Sequence, residues 1–337
     1  PGRRPGDAGR DSSAGRGAHA AEPATRAWVK YAIGIAAIFV VTWFVAADEY
    51  WLNLVTGGLL FAGLASAWNI IGGLGGQFSL GHAVFFGVGA YTVALLQVDS
   101  GVSPWIGLIA GAALAALIAV LIAWPLFRLR GPFFAIATLA LSEVAFALAS
   151  YFDFTGGPNG VRIPFEDSLF TDDFSFAVLM FCFMAVAVGL SLAIARGRLG
   201  YRLRAVRDDQ EAAEAAGIDA LRVKTTGLAI SAALTGAGGG LYATWIGLID
   251  PPTVLNLSEI GVRLPLMALI GGIGTIAGPV IGGLLVQPGS QYLRGELGGA
   301  APGAHLVLLG VLLVGFALFF KRGIWGALQT LWSRYGR

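Results

Sequence analysis

Ten stretches of this chain are apolar and long enough, or nearly so, to cross a lipid bilayer, and that succession limits the fold before any single residue is considered. Crossing about 30 Å of hydrocarbon takes roughly 17–25 helical residues at 1.5 Å each. The runs lie at 31–47, 52–71, 78–98, 105–127, 132–151, 174–195, 225–249, 260–273, 276–293 and 303–320. The eighth and ninth are short and Gly-rich, so eight to ten spans are expected. Lipid offers no partners for a bare backbone, which leaves the helix as the spanning structure for apolar runs of this length. The expected class is therefore an all-α polytopic membrane protein. With 56% hydrophobic and only 12% charged residues, the chain could not coat a soluble surface.

The distribution of charge orients the spans. If the N-terminus faces the cytosol, 19 of the 22 Lys and Arg fall on cytosolic segments, and only Arg162, Arg263 and Arg294 lie elsewhere. That is the asymmetry of the positive-inside rule. The opposite loops hold 11 of the 20 acids, among them Asp153, Glu166, Asp167, Asp250 and Glu259. Both termini are thus expected inside, with an even number of spans. Residues 1–27 read as a disordered cytosolic tail, 28–322 as the membrane domain with a long cytosolic loop at 196–224, and 323–337 as a second cytosolic tail. A formal net charge of +2 gives no reason to expect a nucleic-acid partner. Cys182, the single cysteine, rules out an internal disulfide.

Ile70-Ile71-Gly72-Gly73-Leu74-Gly75 is echoed by Leu269-Ile270-Gly271-Gly272-Ile273-Gly274, which suggests a parallel internal duplication. Glycine-interrupted apolar segments at matching places in two halves point to a transporter's central pathway, or equally to close helix packing. Gly271, Gly272, Gly274 and Thr275 are candidates on the first reading. Polar groups within apolar runs add Gln77, Ser79 and His82, which supply the donors and acceptors a zwitterionic solute needs or else pin neighbouring helices. Glu143 lies near the middle of the fifth run, where an acid costs roughly 2.5–3.5 kcal/mol and must meet a partner or a wet cavity. The turn formers Thr155, Gly156, Gly157, Asn159 and Gly160 make an external loop that a partner could touch. No Lys follows a Gly, so the chain has no P-loop and any ATP hydrolysis belongs to other subunits. The three histidines show no metal-ligand spacing, and neither a catalytic residue, a metal site nor a cofactor is expected. In the cytosolic loop, Arg207, Asp208, Glu211, Ala212, Ala213, Glu214 and Gly217 read as one short helix with acids in its first turn and a left-handed glycine at its end. So short a helix is expected to dock on another protein.

At that helix the chain begins to resemble a known family. Glu-Ala-Ala followed by Gly in a cytosolic loop is similar to the coupling loop of ABC importer permeases. Gly75-Gly76-Gln77-Phe78-Ser79-Leu80-Gly81-His82, Arg130-Gly131-Pro132-Phe133-Phe134, Thr155-Gly156-Gly157-Pro158-Asn159-Gly160, Arg204-Ala205-Val206-Arg207-Asp208-Asp209 and Gly271-Gly272-Ile273-Gly274-Thr275 together resemble the LivM-type permeases of branched-chain amino-acid importers. The likeness covers roughly 52–322. It implies a bacterial inner-membrane complex: this permease, a homologous second permease, two cytosolic ATPases and an external solute-binding protein, with the helix at 211–217 transmitting ATPase closure. Urea and short-amide permeases look similar and leave the solute open. An ion-coupled secondary transporter is the alternative, though it would usually carry more intramembrane charge.

Overall fold

The computed structural model describes residues 24–129, 131–164, 169–298 and 323–335, with isolated positions between 307 and 315. The tail at 1–23, Arg130, Glu166, Asp167 and nearly all of the tenth run lie outside the described residues. Helices dominate: α1 (Ala24–Val45), α2 (Glu49–Asn69), α3 (His82–Ser100), α4 (Pro104–Leu126), α5 (Pro132–Tyr151), α6 (Asp173–Arg196), α7 (Arg198–Asp208), α8 (Gln210–Ala215), α9 (Ala220–Ile246), α10 (Pro251–Val254), α11 (Arg263–Gly271), α12 (Ala277–Gly298) and α13 (Gly323–Tyr335). Two π-helical turns, π1 (Ile70–Leu74) and π2 (Leu257–Val262), continue α2 and lead into α11.

Among the described residues, seven helical segments are long and apolar enough to span a membrane: Trp28–Val45, Glu49–Leu74, His82–Ser100, Pro104–Leu126, Pro132–Tyr151, Asp173–Arg196 and Pro251–Gly271. Helices α9 and α12, of 27 and 22 residues, have the length but are diluted by Gly, Thr and other polar residues. The chain is an all-α, multi-pass membrane protein.

Local chemistry explains where helices begin. Asp48 accepts hydrogen bonds from the amides of Tyr50 and Trp51 at the head of α2, Asp172 does the same for Ser175 at α6, and Pro104 and Pro132 open α4 and α5. Helix α2 is the axis of the fold, buried along most of its length and flanked by α6, α9, α11 and α12. Leu59, Leu60, Leu64 and Trp68 are fully buried along it, as are Ile70 and Ile71 of π1. A second layer packs α3 and α4 on α9 through small residues. A Cβ on Gly89 would collide with the Gly236 backbone, and one on Gly236 would come within 2.7 Å of Ala115 Cβ. The Gly236 stretch is therefore a packing seam, as small residues in membrane helices often are.

A two-residue antiparallel pair, β1 (Val161–Arg162) with β2 (Leu248–Ile249), places the loops after α5 and α9 on one side of the molecule. The charge-derived topology required the same. The third span differs from expectation: its helix begins at His82 rather than Phe78. Residues 75–81 are irregular because Gly76 sits at φ +67°, a conformation that stops a right-handed helix.

Candidate functional site

The irregular segment 75–81 is held from four directions. Trp68 Nε1 donates to the Ser79 carbonyl at 2.8 Å. From α5, Thr138 Oγ1 accepts from the Leu80 amide at 3.0 Å and Ser142 Oγ donates to the Leu80 carbonyl at 3.1 Å. Below it, Gly76 packs on the aliphatic part of Arg207. His82 closes the fourth side: fully buried, its Nδ1 lies 3.2 Å from Ser79 Oγ and its Nε2 2.8 Å from Ser231 Oγ on α9. Both ring nitrogens are occupied, and Ser79 is buried with them, so the pair joins helices rather than lining open space. Gln77 is half-buried, its amide donating to the Gly75 carbonyl at 3.4 Å.

The two glycine segments of the sequence echo meet. Asn69, buried at the end of α2, accepts from the Gly274 amide and donates to the Thr275 carbonyl, both at 2.8 Å. A Cβ on Gly73 would stand 2.6 Å from the Gly274 nitrogen. Thr275 caps α12, donating to the Gly272 carbonyl at 2.7 Å and accepting from the Gly278 amide at 3.0 Å. Gly271 is pressed against the Gly278 backbone, and Gly272 and Gly274 take φ +130° and +76° in the turn.

The cytosolic-loop residues form two helices where one was expected. Arg207 and Asp208 end α7, and Asp209 then breaks the chain by capping α8, its carboxylate accepting from the Ala212 amide at 3.0 Å. Glu211, Ala212, Ala213 and Glu214 lie on α8, and Gly217 ends the unit at φ +84° as anticipated. Ala213 is buried against Val206 and Ala220, whereas Glu211 and Glu214 face outward. Arg207 ties the unit to the membrane core: its Nη1 donates to the Gly73 carbonyl at 3.1 Å, and Asp208 holds the same guanidinium from outside at 2.9 Å. Lys224 Nζ donates to Gln210 Oε1 at 2.7 Å, fixing α8 to α9.

Among the described residues, little is packed on helix α5 beyond the stripe of Phe134, Thr138, Ser142 and Ala149. Its other face, with Ile136, Ala140, Glu143, Val144 and Leu148, is exposed. On the far side, Thr155 Oγ1 bonds the Ala149 and Phe152 carbonyls, which buries it with Gly157. Gly156 and Gly160 take positive φ, and Pro158 and Asn159 form the exposed tip.

The model for branched-chain amino acid transport system permease components matches residues 50–317. The chain belongs to that family. It is 28% identical to the high-affinity branched-chain amino acid transport system permease protein LivM of Escherichia coli K12 over 286 residues, covering 76% of this chain and 67% of the relative. It is 28% identical to the corresponding LivH protein of Salmonella typhimurium over 289 residues, 78% and 91% of the two chains. Over a shorter stretch, 188 residues, it is 31% identical to the L-arabinose ABC transporter permease protein AraH of Azospirillum brasilense, covering 53% and 52%. No solved structure matches it. The family is one of transporter permeases, not enzymes, and this member is a multi-pass protein of the bacterial plasma membrane.

Three parts of the site escaped the sequence reading. Asn69 was hidden as a single polar residue ahead of a glycine run. Ser231 lies 149 residues from His82. The group Glu259, Arg263 and Arg294 was foreshadowed only in that both arginines lie off the basic side.

Proposed function

We propose that this chain is a permease subunit of an ABC importer for branched-chain amino acids. It works with a homologous second permease, two cytosolic ATPases and an external solute-binding protein. The observation that carries this reading is the tie between the cytosolic helix pair and the membrane core. Arg207 bonds the backbone of π1, π1 runs into segment 75–81, and that segment is gripped by Thr138 and Ser142 of α5. A push on α8 by an ATPase therefore has a continuous route to α5. Each non-covalent step is a side chain bonded to backbone, which keeps the route short.

The open face of α5 gives the route a destination. Glu143 is the twelfth of 20 residues in α5 and is exposed. At that depth it cannot face lipid without a penalty of roughly 2.5–3.5 kcal/mol. A second permease covering this face, with the solute pathway between the two, gives Glu143 a polar surrounding and buries its apolar neighbours. The exposed loop tip at Pro158 and Asn159 is the natural contact for the external binding protein. Segments 70–82 and 269–275 act in this scheme as the joints beside the pathway.

The test is uptake of labelled leucine by the reconstituted complex, with and without ATP, and with isoleucine, valine, urea and arabinose as competitors. ATP-dependent entry blocked by isoleucine and valine is expected. Entry of urea or arabinose in leucine's place would change the cargo, and entry indifferent to ATP would overturn the importer reading.

A further inference from the structure

A cavity of about 250 Å³ opens between α2, α9, π2, α11 and α12, at the end of α9 remote from the cytosolic helix pair. Its floor is rigid. Arg263 is 8% exposed; it pairs with Glu259 Oε2 and donates through Nη1 to Gln287 Oε1 at 3.1 Å, and Gln287 is itself 4% exposed. At the mouth, Arg294 Nη2 reaches the other oxygen of Glu259 at a loose 3.4 Å, and its side chain is 53% exposed. Two guanidiniums share one carboxylate here, which leaves the lining itself one positive charge in surplus, with Asp250 beyond it acting on Tyr242 of the same wall. Gln291 Oε1 is buried on the same wall with no hydrogen-bond partner among the described residues. Phe61, Trp245 and Ile260 give the cavity an apolar side.

We propose that this cavity is a solute subsite of the permease that recognises an α-amino acid by its charged backbone groups. The carboxylate docks on Arg294, the ammonium donates to Gln291 Oε1 once that amide turns from Gly57 into the cavity, and an aliphatic side chain lies against Phe61, Trp245 and Ile260. This deepens the reading of the chain as an amino-acid permease and rests on it. Each element of the pocket then has a use. A carboxylate answers the surplus cation through charge-assisted hydrogen bonds, the stronger class. An ammonium satisfies an acceptor that is uphill to bury unpaired. A sugar or urea leaves the charge unanswered. The cavity is somewhat smaller than the ~300–1,000 Å³ of drug-binding pockets, which suits a solute of leucine size. Arg263, saturated by Glu259 and Gln287, is the positioning residue that holds Glu259 so that Arg294 stays at the mouth.

Equilibrium binding of labelled leucine to the reconstituted permease and ATPase complex, without the external binding protein, tests this directly. Leucine binding is expected, with 3-methylbutylamine, which lacks the carboxylate, and arabinose both failing to compete. Arg294→Gln and Gln291→Leu should each weaken binding at least about tenfold, while Arg294→Lys should recover part of it. Arg294 is half-exposed, so its replacement leaves the fold intact. Equal competition by 3-methylbutylamine, or unchanged binding in both variants, would overturn the subsite. So would loss of external-protein docking with no direct leucine binding, which would make the cavity a protein socket. Uptake by the complete assembly separates the two levels. If leucine uptake occurs while the variants bind normally, only the subsite fails; if there is no leucine uptake at all, the amino-acid reading falls with it.

Discussion

Replacing Asn69 by Leu should separate the two glycine segments that one side chain now clasps. Asn69 is 1% exposed and makes two hydrogen bonds of 2.8 Å, accepting from the Gly274 amide and donating to the Thr275 carbonyl. Leucine keeps the branching of the side chain, is bulkier and offers neither bond, so an N–H and a C=O are left unpaired. A buried group so orphaned costs about 1–3 kcal/mol in a water-soluble protein. In membranes a polar side-chain contact averages nearer ~0.6 kcal/mol, because the reference state also finds partners. The donor and acceptor here are buried backbone groups in a glycine turn, so the larger figure governs, and about 2–6 kcal/mol is expected for the pair. Asn69→Asp keeps the acceptor for Gly274 and sets an oxygen against the Thr275 carbonyl, and should be nearly as damaging. The assay is reversible unfolding of the purified protein in mixed micelles, alongside leucine uptake by the complex. A Leu variant within about 0.5 kcal/mol of the parent, transporting at the parental rate, would refute the clasp.

Arg207→Ala should break the tie to Gly73 and uncouple the complex: ATP hydrolysis continues while leucine uptake falls at least about tenfold, since a charge-assisted bond to backbone is lost. Glu143→Leu should lower uptake without weakening the isolated subunit, because the carboxylate is exposed and bonds no group among the described residues; comparing subunit unfolding with transport of the assembly checks this. Gly89→Val should destabilise the α3–α9 seam by about 1–3 kcal/mol or prevent folding, read as loss of folded protein in membranes, because any Cβ there strikes the Gly236 backbone. The Asp172 carboxyl is held below its ordinary range, chiefly by its bonds to Ser175. A depressed folded value stabilises the charged form, so its contribution is present above the ordinary carboxylate pKa and fades as pH falls through the lowered one. Acid unfolding of the head of α6 should accordingly be less pH-dependent in Asp172→Asn, which retains a capping oxygen, followed by hydrogen exchange at the Ser175 amide.

The spans were legible because lipid imposes one rule on every residue of a run, and apolar length alone reports it. What sequence could not disclose are contacts whose meaning lies in a distant partner. His82 looks like a functional group in an apolar span until Ser231 fills its second nitrogen. The two Gly-Gly segments read as a repeat, yet nothing in either shows that they touch, since Asn69 belongs to neither motif. Arg207 reads as part of one helix with Glu211 because the stretch between them holds neither Gly nor Pro. The break is electrostatic, made by the Asp209 carboxylate on the Ala212 amide. Arg263 and Arg294 stood out only as cations on the wrong side; Glu259, which joins them, comes four residues before one and 35 before the other.

The placement of the two π-helical turns follows from what the glycine segments must do. A π turn widens the helix and gives up regular hydrogen bonding, and such turns often mark functional sites. π1 ends at segment 75–81, and π2 comes to the same segment from the other side: a Cβ on Gly261 would stand 2.7 Å from the Leu80 carbonyl. Segment 75–81 therefore lies between the two least regular turns of the core, with Arg207 beneath and α5 beside it. Elsewhere the core is close-packed on α2, and close-packed helices move as rigid bodies. If the proposed coupling holds, a displacement at Arg207 should act on the irregular backbone of this segment and pass to α5 where side chains grip it, at Thr138 and Ser142. On the coupling proposed above, a push on the cytosolic pair is expected to reach α5 through this one irregular segment, and α5 is the helix whose outer face the described residues leave uncovered.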